Sequence, residues 1–522
     1  MRKQSTQLLV IGGGATGLGI AWDACLRGIR VVVVEQGDLG QGTSGRYHGL
    51  LHSGARYVIS DPVSAQECAL ENAVLRRIAP ATIEDTGGLY MACPGDPADW
   101  PDRWLTACRQ LDVPVEEIEP AEALRREPLL NPQIERVFTT RDAALDSFDL
   151  LHMLTHSIRA GGGQVWLRHR LDRLIVDNHR VVGAEITSLN DGEKIILEAD
   201  LTVNATGPWA GLVARLAGIE IPIALGRGSM VAVAARLIHT VVNRCRPPAD
   251  GDLIVPVGTV AVFGTTDTHV EDPADTRTEA WEVDKILKTG AEMIPSLPQH
   301  RPLRVWAGVR PLYRPEQADA EQTRALPRAH TILDHAERDG IDGLVSIFGG
   351  KLTTYRLMAE HAMKVVCRHL NVTAPCRTAD TPLESGAKSY HTLPGRLARV
   401  EPQAPPETPP QIICECELIP RGDLEAALRA VTPLELDDVR RDLRLGMGPC
   451  QASFCAYRAA GIAHETLSSV PQDGGLGGFL QERWRGIRPL GWGHTLRQME
   501  LMRRVYLELF AAQDLMGEEA AQ

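Results

Sequence analysis

Four cysteines in the last quarter of the sequence form two closely spaced pairs. Cys414 and Cys416 give C-x-C, and Cys450 and Cys455 give C-x4-C. Four thiolates suit a [2Fe–2S] cluster or a tetrahedral zinc ion. Zinc sites usually use C-x2-C pairs, so the spacing favours iron–sulfur, with zinc or an unmetallated group as the alternatives. The seven other cysteines stand singly and are interpreted as small buried hydrophobic residues.

A glycine motif near the amino end has the spacing of a dinucleotide site. Gly12, Gly14 and Gly17 fit G-x-G-x-x-G between an apolar strand and a helical stretch, and Glu35 ends the next apolar run. The first glycine permits the tight turn, the second lets backbone approach a pyrophosphate, and the third lets helix and strand pack closely. The helix N-terminus then directs free N–H groups at the phosphates. Glu35 is placed to bond a ribose hydroxyl.

The rest of the sequence indicates FAD rather than NAD. Residues 203–211 (VNATGPWAG) and 348–356 (FGGKLTTYR) are far from the glycine motif, as a long, split FAD domain requires. A nicotinamide domain would be contiguous, and no second G-x-G-x-x-G has the strand–turn–helix context. The predicted cofactor-binding residues are Gly12, Gly13, Gly14, Ala15, Thr16, Gly17, Glu35, Thr43, Ser44, Ala205, Gly207, Gly349, Gly350 and Leu352.

Basic residues occur in several glycine-flanked segments of low charge. Arg56, Arg310, Arg328 and Lys351 lie in HSGARY, GVRPL, PRAHTILDH and GGKLTTYR. Arginine suits bidentate contact with phosphate, and lysine supplies a compact charge. Any one of them alone would be interpreted as a surface cation, but together they predict an anion pocket. The candidate catalytic and substrate-binding residues are His52, Arg56, Tyr57, Arg310, Arg328, Lys351 and Thr354.

Composition excludes several classes of function. The chain has 522 residues, with 55 basic and 67 acidic side chains and a formal net charge of −12. Such a chain lacks the basic field of a sequence-independent nucleic-acid binder. No run of about 18 apolar residues predicts a membrane span. The first residues lead straight into the glycine turn, so no signal peptide is expected and the cytosol is the default compartment.

Several longer segments resemble one enzyme family, the anaerobic, membrane-associated glycerol-3-phosphate dehydrogenases, and specifically their catalytic A subunits. The segments are VIGGGATG, GRYHGLLHSGARY, NATGPWA, VNRCRPPADGDLIVP, AGVRPL, LDHAERDGIDGLVSIFGGKLTTYRLMAE, CEC with CQASFC, and FLQERWRGIRPLGWG. The first five also resemble the wider superfamily of FAD-dependent glycerol-3-phosphate dehydrogenases and amino-acid oxidases. The cysteine spacing is similar to that of bacterioferritin-associated-ferredoxin-like [2Fe–2S] modules.

The resemblance implies a fold class and a domain order. Residues 1–378 are expected to form an α/β FAD-binding domain of Rossmann type, like glutathione reductase and the amino-acid oxidases, with an interleaved antiparallel-sheet substrate domain. Residues 379–411, rich in proline, form a linker. Residues 412–466 form a small, mainly helical [2Fe–2S] domain, which the linker predicts to fold apart from the flavin pocket. Residues 467–522 form a helical tail.

The implied reaction oxidises sn-glycerol 3-phosphate to dihydroxyacetone phosphate by hydride transfer to FAD. Electrons would pass through the [2Fe–2S] cluster to the B and C partners of the complex and to a quinone. The complex is also associated with FMN, and the chain is expected at the cytoplasmic face of the inner membrane, held peripherally by its partners. The alternatives are a dehydrogenase of another hydroxy acid or amine, and a redox-sensing flavoprotein without catalysis.

The sequence leaves the identity of the catalytic base open. Aerobic relatives carry a histidine at the end of the segment that reads GRGSM here, and this chain has Met230, which cannot accept a proton. His52 is the first candidate because it lies four residues before Arg56, followed by His48 and Tyr57. The alternatives are that His52 only shapes the flavin loop, and that an arginine-held water acts as the base.

The tail predicts an amphipathic helix. Its apolar stripe has spacings of three and four, at Leu496, Met499, Met502, Val505, Tyr506 and Leu509. Packing on its own chain is the preferred interpretation. A docking surface for partner proteins is the second, because Trp484 and Trp492 lie among arginines just before the stripe. Direct insertion into a membrane surface is disfavoured by the charge of −12.

Overall fold

The computed structural model of the protein describes residues 2–314, 323–384, 397, 411–430, 435–471 and 475–509. The strands of these residues are β1 (Arg2–Ile11), β2 (Val31–Val34), β3 (Leu50–Leu51), β4 (Ile83–Glu84), β5 (Gly88–Ala92), β6 (Val115–Ile118), β7 (Arg136–Thr140), β8 (Ala143–Leu145), β9 (Gln164–Trp166), β10 (His169–Asp177), β11 (Arg180–Ser188), β12 (Lys194–Asn204), β13 (Ile223–Val233), β14 (Val241–Arg244), β15 (Leu253–Val257), β16 (Val260–Gly264), β17 (Thr268–Val270), β18 (Pro302–Tyr313), β19 (His330–Asp334), β20 (Leu344–Gly349), β21 (Ile412–Cys414) and β22 (Ile419–Pro420).

Helices connect these strands and make up most of the C-terminal part. They are α1 (Ala15–Leu26), α2 (Pro62–Ile78), α3 (Trp100–Gln110), α4 (Pro120–Arg126), α5 (Ser147–Ala160), α6 (Ala210–Arg215), α7 (Ala280–Met293), α8 (His335–Asp339), α9 (Tyr355–Leu370), α10 (Arg421–Ala430), α11 (Leu436–Leu443), α12 (Cys455–Thr466), α13 (Leu476–Ile487) and α14 (Gly493–Arg504). Among the described residues, no helix combines the length and the apolar character that crossing a membrane requires.

An eight-stranded sheet carries the glycine turn. Strand β1 pairs in parallel with β2 and β12, β9 extends the sheet beyond β2, and β20 pairs in parallel with β12. Leu8 and Val10 of β1 face the core formed with α1, α5 and α9, whereas Leu9 and Ile11 face the opposite core. Side chains alternate between the two faces of a strand, so a stretch whose successive residues are all buried is covered on both faces, as residues 8–11 of β1 are here. The carboxyl ends of β1, β2 and β12 therefore meet at one edge, where ligands bind in such sheets.

A nine-stranded sheet, mostly antiparallel, forms the second layer of the molecule. Its order is β17-β13-β16-β15-β14-β5-β7-β6, and β18 pairs with β13 on its other side. Strands β13 and β18 pair antiparallel over nearly their whole length, which places Gly226 opposite Arg310. The strands of this sheet come from residues 88–140 and 223–313, between segments of the parallel sheet. The interleaved α/β architecture predicted from the sequence is confirmed.

The C-terminal module, defined here as the described residues between 411 and 509, is built around a hydrophobic core of its own. The hairpin β21–β22 and helices α10 to α14 contribute to it, and the core includes Phe479, Met502 and Tyr506. The segments predicted as a [2Fe–2S] domain and as a tail therefore pack together. Met502 and Tyr506 of the predicted stripe are buried, whereas Leu496 is half exposed. The side chain of Leu509 lies outside the described residues.

The module does not stand apart from the first 378 residues, contrary to our expectation from the proline-rich segment. Arg441 of α11 lies 2.9 Å from Asp38, and Arg444 lies 3.0 Å from Asp146. Arg304 of β18 pairs with Glu482 of α13. Opposite charges on two surfaces draw them together, and burial of the pairs between them makes separation costly. Most of the predicted linker, 379–411, lies outside the described residues.

Candidate active site

A cavity of about 1670 Å³ opens between the two large sheets and the C-terminal module. It exceeds the roughly 300–1,000 Å³ of a small-ligand pocket, so it has room for a dinucleotide and a substrate together. The predicted residues that line it are Gly12, Gly13, Gly14, Ala15, Thr16, Glu35, Thr43, Ser44, His52, Arg56, Tyr57, Ala205, Gly207, Arg310, Arg328, Gly349, Gly350, Lys351 and Leu352. Two predicted residues, Gly17 and Thr354, lie behind its wall.

The glycine turn between β1 and α1 has the geometry its spacing predicted. Gly12 has φ +106°, and a Cβ there would lie 2.6 Å from the carbonyl oxygen of Ala205. A Cβ at Gly17 would lie 2.0 Å from the carbonyl oxygen of Gly12, so strand and helix pack in direct backbone contact. At Gly14 a Cβ would meet only Ser44 Oγ, at 3.2 Å. The fold itself therefore requires glycine at Gly12 and Gly17, whereas at Gly14 the fold leaves more space for a side chain.

Glu35 is held at the edge of the cavity by backbone groups. Its Oε2 accepts a hydrogen bond from the Gly13 N–H at 2.7 Å, and its Oε1 accepts one from the Gly37 N–H at 2.9 Å. Burial raises the pKa of this carboxyl, and the two N–H groups oppose the rise. Each oxygen keeps a further lone pair for a ribose hydroxyl.

The loop after β2 is joined to both large sheets. Ser44 Oγ accepts a hydrogen bond from the N–H of Ala15, the first residue of α1, at 3.0 Å. Thr43 Oγ1 donates to the carbonyl oxygen of Val309 on β18 at 2.7 Å. The loop therefore fixes the helix N-terminus, the natural place for a phosphate, relative to the second sheet.

Residues from the far segments complete the same edge. Ala205, directly after β12, donates its N–H to the carbonyl oxygen of Ile11 at 2.9 Å. Gly207, Gly349 and Gly350 all have positive φ. A Cβ at Gly349 would lie 2.7 Å from the carbonyl oxygen of Ala329, so this position, with its positive φ, favours glycine. The glycine turn, residues 205–207 and residues 349–350 are far apart in sequence, and all three contribute backbone to the cavity wall.

Two cations at one end of the cavity have no carboxylate partner among the described residues. Arg56 makes no ion pair there, and Lys351 donates only to the carbonyl oxygen of Arg328, at 3.2 Å. The Lys351 Nζ also lies 4.4 Å from the ring centroid of Tyr57. Burial lowers the pKa of Lys351. Both side chains are therefore available to an anion.

A second pair of cations shares one acid that sequence reasoning missed. Arg310 Nη1 lies 2.8 Å from Asp267 Oδ1, and Arg328 Nη2 lies 3.5 Å from Asp267 Oδ2. Burial, followed by the charge of Arg328, lowers the pKa of Arg310 to about 10. With Arg56 and Lys351, four cations lie at this end of the cavity. Asp61, which also lines the cavity, acts on Lys351, so the cations still outnumber the two acids that line this end. The alternate glycines of GRG on β13 were the available signal, since they leave space for this group.

Three ring side chains, those of His48, His52 and Tyr57, line the same cavity as the cations. The His52 ring centroid is 5.8 Å from that of His48 and 5.2 Å from that of Tyr57. Burial, followed by the charges of Arg310 and Arg56, lowers the pKa of His48 to about 3, and burial holds the pKa of His52 well below its usual value. Both imidazoles are therefore neutral near pH 7. Met230, buried on β13, also lines the cavity and offers no base.

The two histidines differ in the nitrogen they leave free. His48 Nδ1 accepts a hydrogen bond from the Leu50 N–H at 3.1 Å, so its neutral ring carries the proton on Nε2. His52 is fixed through its backbone instead, by Thr353 Oγ1 at 3.1 Å from its N and by the Asn72 side-chain amide at 3.1 Å from its carbonyl oxygen. His52 is thus the better placed of the two to accept a proton.

The four clustered cysteines meet in the C-terminal module as two pairs. Cys414 hydrogen-bonds to Cys455, and Cys416 hydrogen-bonds to Cys450. The bond from Cys416 lowers the pKa of Cys450 to about 6, and the bond from Cys455 lowers the pKa of Cys414. In the part of the chain that the structure describes, no three His, Cys, Asp or Glu side chains are arranged to hold a single metal ion.

Comparison with known proteins gives the class first. Residues 7–356, more than half of the chain, match the family described as DAO, FAD dependent oxidoreductase. The protein belongs to this family and is an FAD-dependent oxidoreductase. The match covers both large sheets and ends before the C-terminal module.

The relatives narrow the class to the A subunits of one enzyme. The A1 protein of the anaerobic glycerol-3-phosphate dehydrogenase of Haloferax volcanii is 39% identical over 96% of this chain and 89% of its own length. The A protein of the anaerobic glycerol-3-phosphate dehydrogenase of Escherichia coli K12 is 38% identical over 97% and 96%. The chain therefore belongs to the family of anaerobic glycerol-3-phosphate dehydrogenase A subunits, as its sequence predicted. The FAD-bound crystal structure of glycerol-3-phosphate dehydrogenase from Bacillus halodurans, 24% identical, shares its fold with a TM-score of 0.59 over 96% and 95% of the two chains.

Proposed function

We propose that this protein oxidises sn-glycerol 3-phosphate to dihydroxyacetone phosphate and passes the electrons through a [2Fe–2S] cluster to its B and C partners and then to a quinone. FAD, when bound, supplies the hydride acceptor. The names of the relatives support this substrate. The observation that carries the proposal is the group of four cations at one end of the cavity, two of which pair with Asp267, because a phosphate dianion is the ligand that such a field favours.

The residues that line the cavity have separate roles in the proposed oxidation. Arg56, Arg310, Arg328 and Lys351 bind and orient the phosphate, which fixes the position of the C2 hydroxyl. His52, neutral near pH 7, accepts the hydroxyl proton while the hydrogen on C2 leaves as hydride. The glycine turn and the loop with Ser44 hold the pyrophosphate by backbone N–H groups and the hydroxyl.

Anaerobic mixing of the FAD-loaded protein with glycerol 3-phosphate tests the proposal. The flavin absorbance should bleach rapidly with this substrate and slowly or not at all with lactate, with alanine or with glycerol, which lack the phosphate. Faster bleaching by a hydroxy acid or an amine would assign the protein to another substrate class. A flavin that none of these compounds reduces would favour a redox sensor.

Replacing Arg310 by alanine should weaken substrate binding more than it slows chemistry. A phosphate contact is made in the ground state and the transition state alike, so its loss raises the apparent dissociation constant while the limiting rate changes little. A hydrogen-bonded charge is worth about 1.5–3 kcal/mol, or roughly 10- to 100-fold. The measurement is the rate of flavin reduction as a function of substrate concentration. Arg236→Ala is the control, since Arg236 pairs with Glu84 outside the cavity, and an unchanged constant in Arg310→Ala would remove Arg310 from the site.

Replacing His52 by glutamine should slow the chemical step more than it weakens substrate binding, which is the reverse of the effect expected for Arg310→Ala. Loss of a general base lowers the limiting rate of flavin reduction by about 100-fold or more, with a small change in the substrate constant. His48→Gln should cost far less, because the free nitrogen of His48 already carries a proton. Since burial keeps His52 neutral, the wild-type rate should stay flat as pH falls from about 8 to 6. Equal losses in the two variants would point to an arginine-held water as the base.

The paired thiols support a [2Fe–2S] cluster over zinc. A cluster of this type contains two irons, and each iron takes two cysteine sulfurs. Cys414 lies beside Cys455 and Cys416 beside Cys450, so the module would offer four thiolates in two pairs to such a cluster, whereas a single zinc would need all four around one point. Iron and sulfide in a two-to-two ratio per chain is the expected analysis of protein purified without oxygen. Zinc alone would reverse the assignment.

Membrane attachment in this proposal is peripheral and occurs through partners at the cytoplasmic face of the inner membrane. The relatives are named as A subunits, which supports the existence of further subunits. We assign FAD and the [2Fe–2S] cluster to this chain, and an FMN in the complex would have a site of its own. The half-exposed Trp492 and Leu496 of the C-terminal module are candidates for the contact with partners.

A further inference from the structure

A single buried carboxylate lies between two arginines that come from different elements. Asp267 follows β16, Arg310 lies on β18, and Arg328 precedes β19. We propose that Asp267 is a positioning residue that fixes these two guanidinium groups as one phosphate-binding clamp and thereby sets the selectivity for phosphorylated substrates. The inference rests on the proposed function only in taking the anion to be the phosphate of the substrate.

The two oxygens of Asp267 have separate partners. Oδ1 lies 2.8 Å from Arg310 Nη1, and Oδ2 lies 3.5 Å from Arg328 Nη2. Oδ2 also accepts a hydrogen bond from Thr323 Oγ1 at 3.0 Å. The side chain of Asp267 is only 4% exposed, whereas those of the arginines are 28% and 20% exposed. All three residues line the cavity, and the acid is more deeply buried than the two cations.

Strand β13 is shaped around this group. Gly226 and Gly228 are two residues apart, so both point to the same face of the sheet. A Cβ at Gly228 would lie 2.2 Å from Arg310 Nη2, and a Cβ at Gly226 would lie 3.0 Å from Asp267 Oδ1. Any other residue at Gly228 would displace the guanidinium. The two glycines therefore leave the space that the Asp267–Arg310 pair occupies.

The segment that carries Asp267 is itself anchored from behind. Thr266 Oγ1 donates to Glu282 Oε1 at 2.7 Å, and the Ser229 N–H donates to Thr266 Oγ1 at 3.0 Å. Arg310 Nη2 donates to Thr265 Oγ1 at 2.7 Å. Glu282 is fully buried. The position of Asp267 is thus fixed by its neighbours in the chain, so Asp267 can set the positions of the two arginines.

Electrostatics explains why such an acid is needed. Arg310 and Arg328 repel each other, and the charge of Arg328 adds to burial in lowering the pKa of Arg310. A carboxylate between them offsets that repulsion and orders two flexible side chains before substrate arrives. Ordering before binding lowers the entropic cost of binding. Without Asp267 the two guanidinium groups should move apart, and a phosphate would have to bring them together again.

The test compares FAD-loaded Asp267→Ala and Asp267→Glu with wild type in anaerobic flavin reduction. We expect the apparent dissociation constant for glycerol 3-phosphate to rise about 10- to 100-fold in Asp267→Ala, as for loss of a charged hydrogen bond. The limiting rate should change less than about threefold, because the bound substrate still meets the same base. Asp267→Glu, which keeps the charge, should recover much of the affinity.

Asp96→Ala is the matched control. Asp96 is a buried acid that also contacts two arginines, Arg244 at 2.8 Å and Arg246 at 3.6 Å, but lies outside the cavity. The apparent dissociation constant of Asp96→Ala for glycerol 3-phosphate should match that of the wild type. A lower limiting rate with an unchanged constant in Asp267→Ala, or no recovery in Asp267→Glu despite normal flavin content, would overturn the proposal.

A second measurement separates this inference from the substrate assignment. Inorganic phosphate is titrated into each FAD-loaded protein, and the shift of the flavin spectrum reports binding without turnover. Weaker phosphate binding in Asp267→Ala than in wild type and Asp96→Ala supports the clamp even if glycerol 3-phosphate fails to reduce the wild-type flavin, in which case only the proposed reaction is wrong. Equal phosphate binding in all three proteins would overturn the clamp.

Discussion

A Gly14→Val protein is expected to fold and to purify without flavin. A side chain at Gly14 would meet only Ser44 Oγ at 3.2 Å, so the protein itself tolerates the change. The added methyl groups would instead occupy the space in front of the α1 N-terminus, where the pyrophosphate of FAD has to approach the backbone. The measurement is the ratio of flavin absorbance to protein absorbance after purification, together with the circular dichroism spectrum.

The control for this variant is another glycine with free space. Gly422, on α10, has no atom within 4 Å of a built Cβ and is far from the cavity in the fold. Gly422→Val should retain its flavin in full. A Gly14→Val protein that is as yellow as the wild type would refute the assignment of this turn to FAD. Loss of secondary structure in Gly14→Val would instead show that Gly14 is needed for folding.

Replacing Cys414 by serine is expected to abolish electron transfer to quinone-linked acceptors while glycerol 3-phosphate still reduces the flavin. Cys414 is buried and hydrogen-bonds to Cys455, so its replacement would remove one of the four thiolates proposed to hold the cluster. The four cations and His52 belong to the first 378 residues, and the substitution leaves them unchanged. The measurements are iron content, the electron paramagnetic resonance signal of the reduced cluster, flavin reduction, and turnover with a quinone analogue in the assembled complex.

Cys376→Ser is the control for thiol loss, because Cys376 lies away from the module and hydrogen-bonds to Thr378. It should retain both cluster and turnover. Normal quinone-linked turnover in a cluster-free Cys414→Ser protein would rule out the relay. Loss of flavin in that variant would show that the module is needed to form the cavity, since Arg441 and Arg444 of the module line it.

Much of the flavin site could be predicted because its signals are local. Gly12, Gly14 and Gly17 lie within six residues, and the spacing alone specifies strand, turn and helix. Three of the cations, Arg56, Arg310 and Lys351, were found because each lies in a short segment with a nearby glycine. Asp267 could not be found in this way, since it pairs with Arg310 across 43 positions and its own neighbours are ordinary threonines. Its partners depend on the register of β13 and β18.

The position of the C-terminal module was the main error of sequence reasoning. A proline-rich segment indicates separation along the chain, and it carries no information about surfaces that meet in space. The contact is made by side chains such as Arg441 and Asp38, which are 403 positions apart. Each is an unremarkable charged residue in its own segment, so only the folded chain shows that they pair.

The same contact has a consequence for how the holoenzyme is made. The ribosome completes the two large sheets well before it releases α11, whose Arg440 and Arg441 line one wall of the cavity. Until the module folds, that wall is missing, so we expect the first 378 residues to offer free FAD a more open site. Buried ion pairs such as Arg441–Asp38 then slow reopening. We therefore expect FAD to enter mainly during biosynthesis, and protein that has folded without FAD should take up added FAD slowly.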